Sequence, residues 1–134
     1  MNELAPKNSK NFPKHRRLLK HEDFEHVYKQ GRRHFSAHMT VFYLRRDLQK
    51  EDSPGGLRVG FTVGKVLGGA VQRNRMKRRL REAVRLASNQ PDVAADVVVN
   101  PKRSLLTAQF ADIQNEMSRA FQVIENTLKT LQKS

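Results

Sequence analysis

The sequence predicts an α+β fold, a two-layer sandwich in which helices cover a small mixed sheet. Three observations predict it. Apolar residues recur at spacings of three and four in separate stretches, other stretches are β-branched or alternate with period two, and Gly, Pro, Asn and Asp punctuate the joins. At 134 residues the chain suits one domain with a modest core. Residues 1–16 are polar, carry Pro6 and Pro13 and show no hydrophobic period, so they read as a flexible basic arm ahead of a single domain at 17–134.

The first helix is expected from His21 to Gln30. Phe24, Val27 and Tyr28 share one helical face, Glu22 and Asp23 lie in the first turn, and Gly31 follows as a C-cap. Met39 to Arg45 is β-branched and aromatic, and Leu57 to Lys65 alternates so that Leu57, Val59, Phe61 and Val63 share a face. With Asp52, Ser53, Pro54, Gly55 and Gly56 between them, the two read as an antiparallel hairpin. The other face of the second strand carries Arg58, Gly60, Thr62 and Gly64. Small residues there either admit another backbone or mark a weakly packed solvent face.

A second helix is expected from Ala70 to Ser88, with Met76, Leu80, Ala83, Val84 and Ala87 on the packed side. Asn89, Gln90, Pro91 and Asp92 end it, and the run from Asp96 to Asn100 reads as a short buried strand. Leu106, Phe110, Ile113, Met117, Ala120, Ile124, Leu128 and Leu131 then mark a long C-terminal helix. Such a stripe fits a two-chain coiled coil or, with fewer assumptions, a helix lying on the sheet. The expected order is helix, strand, strand, helix, strand, helix, with the helices on one face.

Lys and Arg number 26 against 13 acidic residues, a formal net charge of +13. An excess of that size calls for an anionic partner, and nucleic acid comes first because each neutralised phosphate releases counterions. No stretch approaches the roughly 18 apolar residues of a membrane span, and the N-terminus lacks a signal-peptide core, so a cytoplasmic protein is expected. The absence of cysteine removes disulfides, thiol chemistry and cysteine-based zinc modules. His15, His21, His26, His34 and His38 mostly have basic neighbours that would repel a cation.

The densest signal is Arg73-Asn74-Arg75-Met76-Lys77-Arg78-Arg79-Leu80-Arg81-Glu82, with six cations and one carboxylate. Repulsion among so many like charges is relieved by a polyanion, and the guanidinium fork suits phosphate oxygens. Asn74 adds a donor and acceptor for a 2′-hydroxyl or a base edge. A second basic cluster, Lys14, His15, Arg16, Arg17 and Lys20, precedes the first helix. Phe24 and Tyr28 either plug the core or stack unpaired bases with Lys20 holding phosphate.

Together these residues carry a resemblance. Arg58-Val59-Gly60-Phe61-Thr62-Val63-Gly64-Lys65, then Gly68-Gly69-Ala70-Val71 and Arg73-Asn74-Arg75-Met76-Lys77-Arg78, resemble the signature of the protein component of bacterial ribonuclease P. Arg17-Leu18-Leu19-Lys20 with Glu22, Asp23, Phe24 and Tyr28 is similar to that family's opening helix, and Asp96-Val97-Val98-Val99 to its last strand. The likeness runs from about residue 17 to 125.

The resemblance implies a left-handed strand-helix-strand crossover, against the usual handedness. It also implies a subunit that binds a catalytic RNA and the 5′ leader of precursor tRNA and assists endonucleolytic removal of that leader, with catalysis in the RNA. Arg73, Asn74, Arg75, Lys77, Arg78, Arg81 and Lys65 match RNA-contacting positions; Arg17, Lys20, Phe24, Tyr28 and Phe42 match a leader-binding cleft between the first helix and the sheet. Magnesium is expected mainly on the RNA. Neither a membrane nor DNA is an expected partner. Two positions depart from the pattern: Val66 stands where a second lysine is common, and Gly69 where an asparagine is.

Other classes fit less well. A ribosomal protein would share the charge but not the glycine turn feeding the Arg-Asn-Arg block. A basic-region zipper needs one continuous helix, which Pro91, the valine run and Pro101 interrupt. A protein nuclease would need clustered carboxylates, whereas Asp92 and Asp96 merely flank a strand.

Overall fold

A computed structural model describes residues 20–46, 56–87, 91 and 93–133. The expected arm at 1–16, Arg17, the turn at 52–55 and the helix end at 88–90 and 92 lie outside the described residues. The chain runs α1 (His21–Gln30), β1 (Arg32–Phe35), β2 (Met39–Arg45), β3 (Leu57–Phe61), a 3-10 turn (Lys65–Leu67), α2 (Ala70–Leu86), β4 (Ala95–Pro101), a second 3-10 turn (Arg103–Leu106) and α3 (Phe110–Lys133). The α+β class and the three helices are those the sequence predicts.

β4 decides the topology. Ala95, Asp96, Val97, Val98 and Val99 are all buried, and a strand covered on both faces belongs at the centre of a sheet. The strand order is accordingly β1-β2-β4-β3. β4 pairs antiparallel with β2, from Met39 opposite Pro101 to Arg45 opposite Ala95, and parallel with β3, with Val59 opposite Val97. The expected hairpin of β2 with β3 therefore does not form, because β4 lies between them. β3, α2 and β4 instead make a parallel crossover unit. The hairpin that does form is β1 with β2, Arg32 opposite Tyr43 and Phe35 opposite Thr40. β1 was not expected: Arg32, Arg33, His34 and Phe35 show no apolar alternation, and three of the four are exposed on an edge.

The helices divide between the two faces of the sheet, contrary to the expectation that all share one. Met39, Val41, Tyr43, Leu57, Val59, Val97 and Val99 look toward α2 and α3 and form the main core with Met76, Leu80, Met117, Phe121 and Ile124. The opposite face carries a small cluster, Val27 of α1 on Val98, flanked by Phe24, Tyr28, Phe42 and Leu44. Gly60 is buried and Arg58 half-buried, whereas Thr62 and Gly64 are exposed, so this face packs at its start and is open to solvent beyond Gly60. The C-terminal stripe lies on α2 and β2 within the same chain, as a helix-on-sheet arrangement requires. Leu106 belongs to the preceding 3-10 turn, and Leu131 lies outside the described side chains.

Gly31 ends α1 in extended conformation, φ −81°, with its amide donating to the Val27 carbonyl. Close approach makes it a glycine: a Cβ there would stand 2.5 Å from the Val27 carbonyl oxygen and 2.7 Å from that of Tyr43. The glycines that adopt positive φ are Gly56, at 79°, and Gly68, at 141°.

His34, opposite Val41 in the ladder, looks toward α3. Burial, and then the charge of Arg119, hold its imidazole below the usual range. The unfolded chain then binds more protons than the folded one as pH falls below about 6.5, so stability contributed above that pH is lost on acidification toward the lowered value. His34→Gln should flatten the change in denaturation midpoint between pH 7.5 and 5.5. An equally steep change in the variant would contradict this.

Candidate RNA interface

α2 presents the basic block. Asn74, Arg75, Arg78 and Arg81 are exposed, and Arg73 and Lys77 are half-buried, while Met76 and Leu80 of the same helix are wholly buried. The only carboxylate of the block, Glu82, is bonded to Arg85 and held below the usual carboxylate range by that bond. Arg73, Arg75, Lys77, Arg78 and Arg81 thus have no acidic partner among the described residues, and the Arg73 Nε is buried without any partner there. Lys65 is exposed in the 3-10 turn that leads into the helix.

Arg79 differs from its neighbours. It donates at 3.0 Å and 2.7 Å to the Leu105 and Leu106 carbonyls and also to that of Ala108, fastening the second 3-10 turn to α2. Spacing along α2 gives no sign of this, because the acceptors are backbone atoms from another segment. Arg79→Met should therefore destabilise the fold by about 1–3 kcal/mol while leaving the salt dependence of RNA binding unchanged. A reduced salt slope with normal stability would place Arg79 on RNA instead.

The two departures are visible locally. Gly69 is the N-cap of α2 and makes no side-chain cap bond; an Asn cap is typically worth about 1 kcal/mol. Val66 is 79% exposed and adds no cation beside Lys65. Arg103, which sequence reasoning did not single out, donates to the Val66 carbonyl at 2.7 Å and so brings a guanidinium to that turn.

On the opposite face of the sheet Phe24, Tyr28 and Phe42 come together around Val27 and Val98, each half-buried. Tyr28 and Phe42 meet edge to face, 4.9 Å between centroids at 89°, and the Arg33 guanidinium stands 5.4 Å above Phe42. The Tyr28 hydroxyl donates to Asn100 Oδ1 at 2.9 Å and lies 2.6 Å from Thr62 Oγ1. Core and surface are therefore not alternatives for these rings: each packs and still shows an edge. Lys20, the exposed N-cap residue of α1, sits one turn before Phe24. The structure thus places the expected residues in two groups, an aromatic one beside α1 and a cationic one on α2 across the sheet.

α1 is seated electrostatically as well. Asp96, 7% exposed, accepts from Arg58 Nε and Nη2 at 2.8 Å each and from Arg46 Nη1 at 3.1 Å. Arg58 also reaches Asp23 of α1 at 3.7 Å, and its guanidinium is held above its ordinary range chiefly by the Asp96 hydrogen bond. Sequence alone paired neither arginine with Asp96, since the contacts cross 38 and 50 residues. The same pairing bears on metal binding: Asp96 is already satisfied by two guanidiniums, and no group of three His, Asp or Glu side chains gathers among the described residues. Among the described residues, then, Asp96 is not free to hold a divalent ion.

A family model for ribonuclease P matches residues 12–125. The ribonuclease P protein component of Syntrophus aciditrophicus is 35% identical over 104 residues, covering 78% of this chain and 82% of its own. That of an Exiguobacterium species is 36% identical over 117 residues, 87% and 93% of the two chains. Among solved structures, the RNase P protein of Staphylococcus aureus superposes with a TM-score of 0.67 at 26% identity, covering 81% of this chain and 94% of that one. That of Thermotoga maritima superposes at 0.65 with 23% identity, 78% and 94% covered, and so supports the fold. With a family match over most of its length, relatives above 30% identity and the same fold, the chain belongs to the ribonuclease P protein component family.

Proposed function

We propose that this chain binds the catalytic RNA of ribonuclease P through α2 and the 5′ leader of precursor tRNA through the cleft between α1 and the sheet. In doing so it assists endonucleolytic removal of the leader to give the mature 5′ end. The observation that carries the reading is the row of Arg73, Arg75, Lys77, Arg78 and Arg81, without acidic partners among the described residues, on a helix whose other side is locked into the core. A rigid row of cations suits a phosphate backbone, because little order is lost on binding. Asn74 and Lys65 extend it. The half-exposed rings of Phe24, Tyr28 and Phe42, with Lys20 beside them and Arg17 just before, suit unpaired leader nucleotides, whose bases stack while cations hold phosphates.

Catalysis is assigned to the RNA, and magnesium with it. The chain's own residues bind, orient and neutralise: α2 fixes the protein on the RNA, and the cleft then holds the leader so that the scissile bond stays in register. No helix among the described residues is long and apolar enough to cross a membrane.

The test is equilibrium binding of substrate to the reconstituted holoenzyme, comparing precursor tRNA with mature tRNA under non-cleaving conditions. The precursor should bind more tightly, and Phe24→Ala or Phe42→Ala should narrow that gap by roughly 5- to 100-fold. Equal loss for both tRNAs would remove the leader from the cleft.

A further inference from the structure

We infer that the open end of the sheet beyond α1 holds one leader nucleobase, with Phe35 as stacking platform and the Asn100 amide as hydrogen-bond donor. This rests on the leader-cleft reading and extends it to residues outside the aromatic trio.

The sheet face beneath α1 is built in transverse rows. One row is Leu44, Asp96 and Arg58 across β2, β4 and β3; the next is Arg33, Phe42, Val98 and Gly60. α1 packs over these through Val27, Phe24, Tyr28 and Asp23. The last row is Phe35, Thr40, Asn100 and Thr62, in register through the ladders of β1, β2 and β4 and joined to Thr62 by its amide bond to the Val99 carbonyl. Tyr28 reaches only its far end, at Asn100 and Thr62. Phe35, at the near end, is 67% exposed. Two strand spacings, about 10 Å, separate Phe35 from Asn100.

The proton order in this row is fixed by its partners. The Tyr28 hydroxyl gives its one proton to Asn100 Oδ1, so Thr62 must donate to Tyr28. Asn100 Nδ2 then carries two protons with no acceptor among the described residues. The subsite offers donors, and it suits a base edge that presents acceptors, whether a carbonyl oxygen or a bare ring nitrogen.

Charge selects a nucleic acid over an apolar partner for Phe35. Arg33 lies two residues away on the same face, over Phe42, and Lys102 Nζ is anchored to the Ser36 carbonyl at 2.9 Å, next to the ring's own backbone. An exposed aromatic bracketed by cations, with an amide donor about 10 Å along the same row, matches a base with its phosphates.

Holoenzyme binding tests this with variants at exposed Phe35 and half-buried Asn100, neither of them part of the core. Phe35→Ala should weaken precursor tRNA roughly 5- to 100-fold and leave mature tRNA unchanged. Asn100→Asp, which replaces donors by acceptors and adds a negative charge, should weaken precursor tRNA by roughly 2- to 10-fold and leave mature tRNA unchanged. If Phe24→Ala narrows the leader gap but Phe35→Ala does not, the cleft stands and the subsite falls. If neither does, the leader reading itself fails. Unchanged leader binding together with loss of self-association in sedimentation would assign Phe35 to a contact between copies and overturn the inference.

Discussion

Replacing Arg73 and Arg75 together by alanine is expected to weaken binding to the catalytic RNA by roughly 10- to 100-fold, with the fold intact. The more diagnostic result is the salt dependence. The logarithm of affinity should fall linearly with the logarithm of salt, and removing two phosphate contacts should reduce that slope by about 1 to 2 units. Neither residue has an acidic partner among the described residues, so their loss leaves no protein carboxylate stranded. An unchanged slope would move the RNA contact off the start of α2.

The largest effect on stability is expected at Asp96. Asp96→Asn takes the negative charge from between Arg46 and Arg58, whose side chains are only 7% and 24% exposed. Losing one partner of a buried ion pair costs about 3 kcal/mol because the attraction that offset its desolvation is gone. Arg46, the deeper of the two, keeps its bonds to the Ala95 and Gly56 carbonyls, and Arg58, nearer solvent, relaxes toward water. Denaturant unfolding of the two proteins checks this, and a difference below about 1 kcal/mol would show that the arginines find other partners. Since Arg58 also meets Asp23 of α1, the variant should lose leader affinity faster than affinity for the catalytic RNA.

Much of this was legible in the sequence. α1 was delimited by acidic Glu22 and Asp23 in its first turn and by Gly31 after its last, signals that adjoin the helix in sequence. The buried stripe of α3 followed from spacing, although Phe121, wholly buried, lies outside the single row that was read. Strand pairing was not legible. β2 and β3 are neighbours in sequence with turn residues between them, and only the burial of Val98 as well as Val97 and Val99 shows that β4 separates them. β1 left no apolar signal, and with it Phe35 and Arg33 escaped notice. Within α2, charge density did not separate Arg79, which holds backbone carbonyls, from the neighbours that make no such bonds. The Asp96 pairs, like the Tyr28 hydrogen bonds, join residues brought together only by the sheet.

The most direct measurement is cleavage of a precursor tRNA bearing a 5′ leader at low magnesium, with catalytic RNA alone, this protein alone, and both. Release of the leader at the mature 5′ end only in the mixture is the predicted result. No gain from the protein, or turnover by the protein without RNA, would contradict it.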